Sequence, residues 1–429
     1  MIFRAAVLLT FLIGTVTPVT ADDWPTWRGI HRDGVWRESG IVKAYDELRP
    51  EWTAEVASGY SGPSVADGRV YVSDRITKPA QTERIHCFDE ETGKSLWSYE
   101  YNCEYRNVSY TAGPRASVQI HEGVAYSLGT MGNLIALDAK SGRLLWSRDL
   151  NTDYQIEMPV WGIAAAPLIT EDLIVVHIGG TPDATVVAFG LMDGKERWRA
   201  LDDRASYSAP ILIEQAGKQV IVAWTGDSIA GLDPMTGRVH WKQPFPPTRM
   251  VIGIATPIVR DNQLFVSSFY DGAMMVNLHP TELEASLAWA SAGADEKNTE
   301  SLHSLISTPI WIGDHIYGLD SYGELRCIKA LDGSRVWTDT TAVRRARWST
   351  AHFVRHQDNV WIFNEEGELL LTELSPDGMN VLSRASLIAP TRDQLNQRGG
   401  VAWSHPAFAN GHIFIRSDTQ LLSVDLREK

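Results

Sequence analysis

His352 and His356 lie four residues apart, a spacing that on a helix would offer two imidazoles to one metal ion. On a strand, at about 3.3 Å per residue, the pair would stand ~13 Å apart on one face, too far to share an ion. A strand reading therefore makes them solvent-exposed or capping histidines, and no metal is expected. Asp149-Leu150-Asn151-Thr152-Asp153 opens like a calcium loop. Its sixth position, however, is Tyr154 where the turn needs Gly, and its twelfth is Val160 where a Glu would close the coordination sphere. A polar loop fits that segment better. Arg344-Arg345-Ala346-Arg347-Trp348 is a basic run in an acidic chain, read here as a solvated loop in preference to an anion-binding patch. Asn107-Val108-Ser109 matches a glycosylation acceptor. Gly-x-Gly-x-x-Gly, Walker, Gly-x-Ser-x-Gly and His-Glu-x-x-His motifs are all absent, so no catalytic residue is assigned.

The elements that would position such side chains are set by composition and repetition. Of 429 residues 44% are hydrophobic and 21% charged, enough for a large core. The formal charge of -14 argues against nucleic acid, whose phosphates require clustered Lys and Arg. At the N-terminus Arg4 precedes an apolar run from Ala5 to Val16, and Val19-Thr20-Ala21 offers a small-residue cleavage site. This pattern predicts a signal peptide over 1–21 and export to the periplasm or beyond. No other stretch reaches transmembrane length, so the mature chain, expected to be monomeric, should carry no membrane span. Cys87, Cys103 and Cys327 do not form a disulfide framework. Cys87 and Cys327 occupy one repeat slot, held elsewhere by Ala136, Ala188 and Gly231, which suits small buried side chains; a Cys87–Cys103 bridge is left open.

A motif Asp-x-x-x-Gly-x-x-x-Trp recurs at Asp89–Trp97, Asp138–Trp146 and Asp233–Trp241, with looser copies ending at Trp198, Trp289 and Trp337. Successive tryptophans stand 43 to 52 residues apart, a period of propellers or helical arrays. The intervening short alternating strands choose the propeller. Gly supplies the positive φ of a tight turn, Asp bonds the turn backbone, and Trp brings the area that docks one blade on the next. A second marker runs in phase: a small-polar run, a proline, then an apolar strand, at Pro63, Pro167, Pro210, Pro257, Pro309 and Pro406, with Ala116 and Ala351 in the same place. Both markers count eight. The chain ends on a third strand, Leu421 to Asp425, with no tryptophan strand after it, whereas Glu51-Trp52-Thr53 stands ready at the start. Pairing the two would close the ring and leave no free edge. The expected fold is thus all-β, an eight-bladed propeller of four-stranded antiparallel blades, closed by the N-terminal strand. Trp52, Trp97, Trp146, Trp198, Trp241, Trp289 and Trp337 dock the blades. The propeller is expected over 50–429, behind a leader segment over 22–49.

The repeat Ala-Leu-Asp-Ala-Lys-Ser-Gly-Arg-Leu-Leu-Trp (136–146) resembles the tryptophan-docking motif of quinoprotein (PQQ-like) propellers, and Trp24-Pro25-Thr26-Trp27-Arg28-Gly29 resembles the leader of such repeat proteins. WD40 and kelch patterns fit less well. The resemblance covers essentially the whole mature chain and implies fold more than function. Its enzymatic members hold PQQ between a Trp and a ring made by two adjacent cysteines, with Ca²⁺ on Glu, Asn and Asp. This chain has no Cys-Cys pair and no Cys-x-x-Cys-His. Its scaffold members are eight-bladed outer-membrane-assembly accessory proteins that bind protein partners. The preferred expectation is therefore a non-catalytic binding scaffold without a cofactor. The alternative is a PQQ-dependent alcohol or sugar dehydrogenase with Ca²⁺.

Residues just before the inner strands should rim the central channel at one mouth: Tyr60, Arg115, Trp161, Tyr207, His303, Trp348, His352, Trp403 and His405. Converging aromatic and polar groups would suit a small polar or sugar-like ligand, or could simply plug the channel.

Overall fold

Eight four-stranded antiparallel sheets make up the body of the chain in a computed structural model that describes residues 22–429. The expected signal peptide, 1–21, lies outside the described residues. The first blade runs Ser64–Ala66, Arg69–Ile76, Thr82–Asp89 and Ser95–Asn102, and six more follow in the same consecutive order. The eighth is composite. Ala407–Ala409, His412–Arg416 and Gln420–Asp425 are completed by Pro50–Glu55, which pairs antiparallel with Gln420–Asp425. Closure thus joins the two ends of the propeller, as the sequence predicts, and covers two edges that would otherwise carry unpaired N–H and C=O groups.

Docking between blades follows one rule. In each good copy the glycine of the turn takes a left-handed backbone, and the tryptophan of the preceding blade sits against its bare Cα. A Cβ on Gly93 would lie 2.4 Å from Trp52, one on Gly142 2.6 Å from Trp97, and one on Gly237 2.5 Å from Trp198. The glycine is therefore required twice, for φ and for space. Each indole also donates to a turn carbonyl: Trp52 to Glu90 (2.8 Å), Trp97 to Ala139 (3.1 Å), Trp146 to Leu191 (2.8 Å) and Trp198 to Pro234 (2.9 Å). Trp289 and Trp337 repeat this toward Ala330 and Ser375. The motif Asp caps its own turn, as when Asp89 Oδ1 accepts from the Thr92 amide and hydroxyl at 2.9 and 2.6 Å. Trp241 is the exception, because the fifth blade lacks the glycine turn. Its indole donates to Gln215 Oε1 (2.8 Å), and Gln215 Nε2 donates on to Glu284 O (2.7 Å), so an amide relays the contact.

The leader packs within the propeller. Trp24 forms an antiparallel bridge with Val65 of the first blade, Val35 a parallel bridge with Arg355 of the seventh, and Ile41 an antiparallel bridge with Arg427 after the eighth. Trp24 and Trp36 are buried in a core cluster with Trp361, Phe408 and Phe414. Burying one such indole is worth roughly 4–6 kcal/mol of transfer free energy before ordering entropy is counted. Between these anchors Arg32 reaches three adjacent blades. It donates to Gln119 Oε1 (3.0 Å) and to the carbonyls of Pro167 (2.8 Å), Ala166 (3.2 Å) and Pro210 (3.2 Å), tying together the second, third and fourth blades.

One loop expectation resolves differently. Asp149 caps a one-turn helix, Leu150–Tyr154, accepting from Thr152 N at 3.2 Å, where a loop was expected. In the basic run Arg345 and Arg347 are paired, with Glu324 (2.7 Å) and Glu296 (3.0 Å). Cys87, Cys103 and Cys327 are all free and buried, so Cys87 and Cys103 are not bridged. Among the described residues no helix is long and apolar enough to cross a membrane.

Candidate functional site

The inner strands begin with an extended approach segment, so side chains there alternate about the channel with a period of two. Counting back from each inner-strand marker, the third residue before it is Tyr60, Gly113, Ala164, Tyr207, Ile254, Ile306, Trp348 or Trp403. All but Gly113 line one cavity at the channel mouth. The residue immediately before the marker contributes Arg115, Ala166, Ala209 and His405 to the same wall. Trp161 and Tyr110 enter from longer loops, Leu305 lies beside Ile306, His352 comes from the seventh blade's inner strand, and Trp27 comes from the leader. The cavity holds about 150 Å³.

Eight of the nine residues expected at the mouth line this cavity: Tyr60, Arg115, Trp161, Tyr207, Trp348, His352, Trp403 and His405. His303 does not. It lies six residues before its marker, is fully buried, and turns Nδ1 toward Phe269 O at 3.1 Å. Leu305 and Ile306 take the sixth blade's share of the wall. The sequence reading also missed Ala164, Ala166, Ala209 and Ile254, because it selected aromatic and polar side chains and passed over small and aliphatic ones in the same register. Trp27 and Tyr110 lie in segments whose paths the repeat pattern does not set.

Aromatic rings dominate the wall. Tyr110 stands among three tryptophans, with centroids 6.2 Å from Trp161, 6.0 Å from Trp348 and 6.4 Å from Trp403. Trp161 packs on Tyr207 at 4.9 Å. Trp27 closes the floor: its indole donates to Thr256 Oγ1 (2.8 Å), and its ring meets His405 edge-on at 4.2 Å. Tyr110 and Trp348 hold left-handed backbones, φ 57° and 69°, which bulky side chains adopt only under constraint.

Polar groups are few and mostly committed. His352 Nε2 donates to Trp403 O (2.8 Å), and His405 Nε2 faces Ser117 Oγ at 2.6 Å. Burial is the main cause that lowers their pKa values, to about 4 for His352 and about 3 for His405, so both imidazoles are neutral at pH 7. His356 caps Glu38 O at 2.8 Å, a different carbonyl from the one His352 serves. Trp403 Nε1 donates to buried Glu365 (2.9 Å), which is also paired with Arg398 (2.8 Å). The single charge in the wall is Arg115. Its guanidinium donates to the carbonyls of Gly113, Ser109 and Tyr110 (2.6, 3.0 and 2.6 Å), lies 5.0 Å from the Tyr60 ring centroid, and has no ion pair among the described residues. The wall includes no Asp, Glu, Asn or Gln side chain.

Set against known proteins, the sequence profile of the PQQ_2 family, described as outer membrane protein assembly factor BamB, matches residues 37–99, 81–339 and 182–429. The chain belongs to this family. The outer membrane protein assembly factor BamB of Shewanella oneidensis is 22% identical over 315 residues, 68% of this chain and 71% of that protein. The quinoprotein ethanol dehydrogenase of Pseudomonas putida is 30% identical over 163 residues, 35% of this chain and 25% of the dehydrogenase. The 1-butanol dehydrogenase (cytochrome c) of Thauera butanivorans is 30% identical over 148 residues, 19% of its own length. The match thus spans about a fifth to a quarter of these dehydrogenases. Among solved structures, BamB from Moraxella catarrhalis superposes with a TM-score of 0.60 at 15% identity, covering 88% of this chain and 99% of that one. Quinohemoprotein alcohol dehydrogenase from Comamonas testosteroni gives 0.67 at 14% identity, covering 95% and 81%. At these identities the superpositions speak to the PQQ_2 propeller fold alone.

Proposed function

We propose that this PQQ_2 propeller is an exported, non-catalytic binding scaffold. It captures a small ligand, or a side chain of a protein partner, in the aromatic cavity at its channel mouth. The observation that carries the reading is the cavity itself: concave, floored by Trp27, and walled by aromatic rings with almost no free polar group. A small polar or sugar-like ligand, the expectation from sequence, suits this wall less well, because most polar atoms in it are already bonded inside the protein. The 1–21 segment is the signal for export, and the mature chain acts as a monomer.

The second reading, a PQQ-dependent oxidoreductase, draws on the dehydrogenase relatives. The donor set speaks against it. Ca²⁺ takes six to eight oxygen ligands, and the wall offers no carboxylate or amide side chain to supply them. The three cysteines stand apart in the chain, so no two adjacent ones can form a ring against the cofactor. PQQ with Ca²⁺ does not fit the residues of this cavity, and no catalytic step is assigned.

The test is a thermal-shift screen of small molecules on wild type beside Trp348→Ala. Compounds that stabilise the wild type and lose that effect in the variant support the reading. A screen in which every stabilising compound acts equally on both would overturn it.

A further inference from the structure

A second, smaller cavity lies where the leader meets the inner strands. It holds about 20 Å³, room for one water-sized body. Trp27, His352 and His405 border both cavities. The small one is otherwise closed by Trp24, Arg28 and Gly34 of the leader and by blade residues that include Thr308, just ahead of the sixth blade's inner strand.

Three donors on this wall lack acceptors. Arg28 and Trp24 are 8% and 2% exposed. Arg28 Nη2 donates to Asp33 O (2.9 Å), whereas Arg28 Nε and Trp24 Nε1 are buried with no hydrogen-bond partner among the described residues. Thr308 Oγ1 accepts from Thr256 N (3.0 Å), which leaves its own O–H to donate. No carboxylate or amide side chain lines the cavity. A buried donor left unmade costs stability, so three around one space define a site for something that accepts.

Charge narrows what that is. Arg28 makes no ion pair among the described residues. Burial is the main cause that lowers its pKa, to about 10, and Asp33 offsets this in part, so the guanidinium stays charged at pH 7. The Asp33 carboxylate is exposed and is itself held by Arg37 and by Val35 N (3.1 Å). Gly34 fixes the guanidinium in place: its φ is 70°, and a Cβ there would lie 2.6 Å from Arg28 Nη2. A buried charge without a partner is expensive. One water would accept from the donors and leave that charge unpaired. A carboxylate, phosphate or sulfate would not fit the volume. A monatomic anion answers both the donors and the charge.

We propose that this cavity binds a single halide ion of chloride size, held by Arg28 Nε, Trp24 Nε1 and the Thr308 hydroxyl. The ion ties the leader to the sixth blade. It occupies a different cavity from the binding site proposed above, and the two readings stand or fall separately.

The experiment takes the full mature chain in sodium gluconate, whose anion is too large to enter, and replaces gluconate with chloride at constant ionic strength. The thermal midpoint should rise with chloride along a saturating curve, as for any ligand that binds only the folded chain. Arg28→Met should flatten the curve. Trp24→Phe keeps the ring and removes the N–H, and should raise the half-saturating chloride concentration roughly tenfold, the size of one hydrogen bond to a charged group. Bromide in place of chloride in crystals should give an anomalous-scattering peak beside Arg28 and Trp24. Equal wild-type midpoints in chloride and gluconate would mean that water fills the cavity, and would overturn the proposal. A chloride response that survives unchanged in both variants, or bromide found only at other places, would mean an adventitious ion only. Trp24→Phe and the bromide peak decide the matter even if Arg28→Met does not fold.

Discussion

Tyr110 and Trp348 face each other across the cavity mouth, ring centroids 6.0 Å apart and planes at 71°, and both stand on left-handed backbone. They come from loops nearly 240 residues apart in sequence, one before the second blade and one before the seventh. Each left-handed non-glycine residue costs about 1–2 kcal/mol. The pair therefore stores conformational cost where the rings of the cavity wall converge.

Tyr110→Gly removes that cost together with a half-buried ring. The two effects oppose each other, so the urea midpoint should move by no more than about 1 kcal/mol equivalent. Binding of aromatic probes should change clearly, because the ring among the three tryptophans is gone. A large loss of stability would instead make Tyr110 a structural plug.

Gly142→Ala should be costly in two ways, since φ is 71° and a Cβ would meet the Trp97 ring at 2.6 Å. Strained backbone and overpacking together suggest a loss of about 2–4 kcal/mol. Gly123→Ala is the control, with φ 75° and open space around its Cβ, and should cost only the backbone share of about 1–2 kcal/mol. Equal effects in urea denaturation would show that the tryptophan does not need the bare Cα.

Stability should fall with acid. His177, His352 and His405 are buried, and that burial holds them at about 4, 4 and 3. In the unfolded chain each titrates near its ordinary value of about 6.5. Above that value all three are neutral in both states and their contribution is complete. Below it the unfolded chain takes up protons that the folded chain cannot, so stability drops until the folded values are reached. The slope is about 1.4 kcal/mol per pH unit for each histidine in that window. Urea midpoints at pH 7.5, 6.5, 5.5 and 4.5 check this, and a flat series would contradict it.

Thiol titration separates bridged from free cysteine. Burial raises the thiols of Cys87 and Cys327, Cys87 to about 12, and Cys103 is also buried. An aromatic disulfide reagent should find no reactive thiol in the folded protein and three after unfolding in urea without reductant. One thiol after unfolding would mean a Cys87–Cys103 bridge.

The blades were legible because their physics repeats. A turn that needs positive φ, and an indole that needs a bare Cα beneath it, leave Gly and Trp at fixed spacing wherever they act. Where the glycine is missing, before Trp289, the sequence still carries the tryptophan but not the Gln215 relay that replaces the direct contact. The cavity was legible only in part. Tyr60, Tyr207, Trp348 and Trp403 share one register position with Ala164, Ile254 and Ile306, and only the first group carries a chemical signal in the sequence. His303 shows the opposite error, a reactive residue type at the wrong register, buried where an aliphatic neighbour reaches the channel. Trp27 could not be placed, because the leader is held by Arg32 and by bridges to Val65 and Arg355, none of which belongs to the repeat.

Whether this PQQ_2 propeller binds without quinone chemistry is decided by titrating the mature protein with PQQ in the presence and absence of Ca²⁺. Absorbance and calorimetry would follow binding, and a dye acceptor with alcohol and sugar substrates would follow turnover. Neither calcium-dependent binding nor dye reduction is expected at high micromolar PQQ. Tight, calcium-dependent binding accompanied by substrate-dependent dye reduction would contradict the scaffold reading and make the cavity the active site of an oxidoreductase.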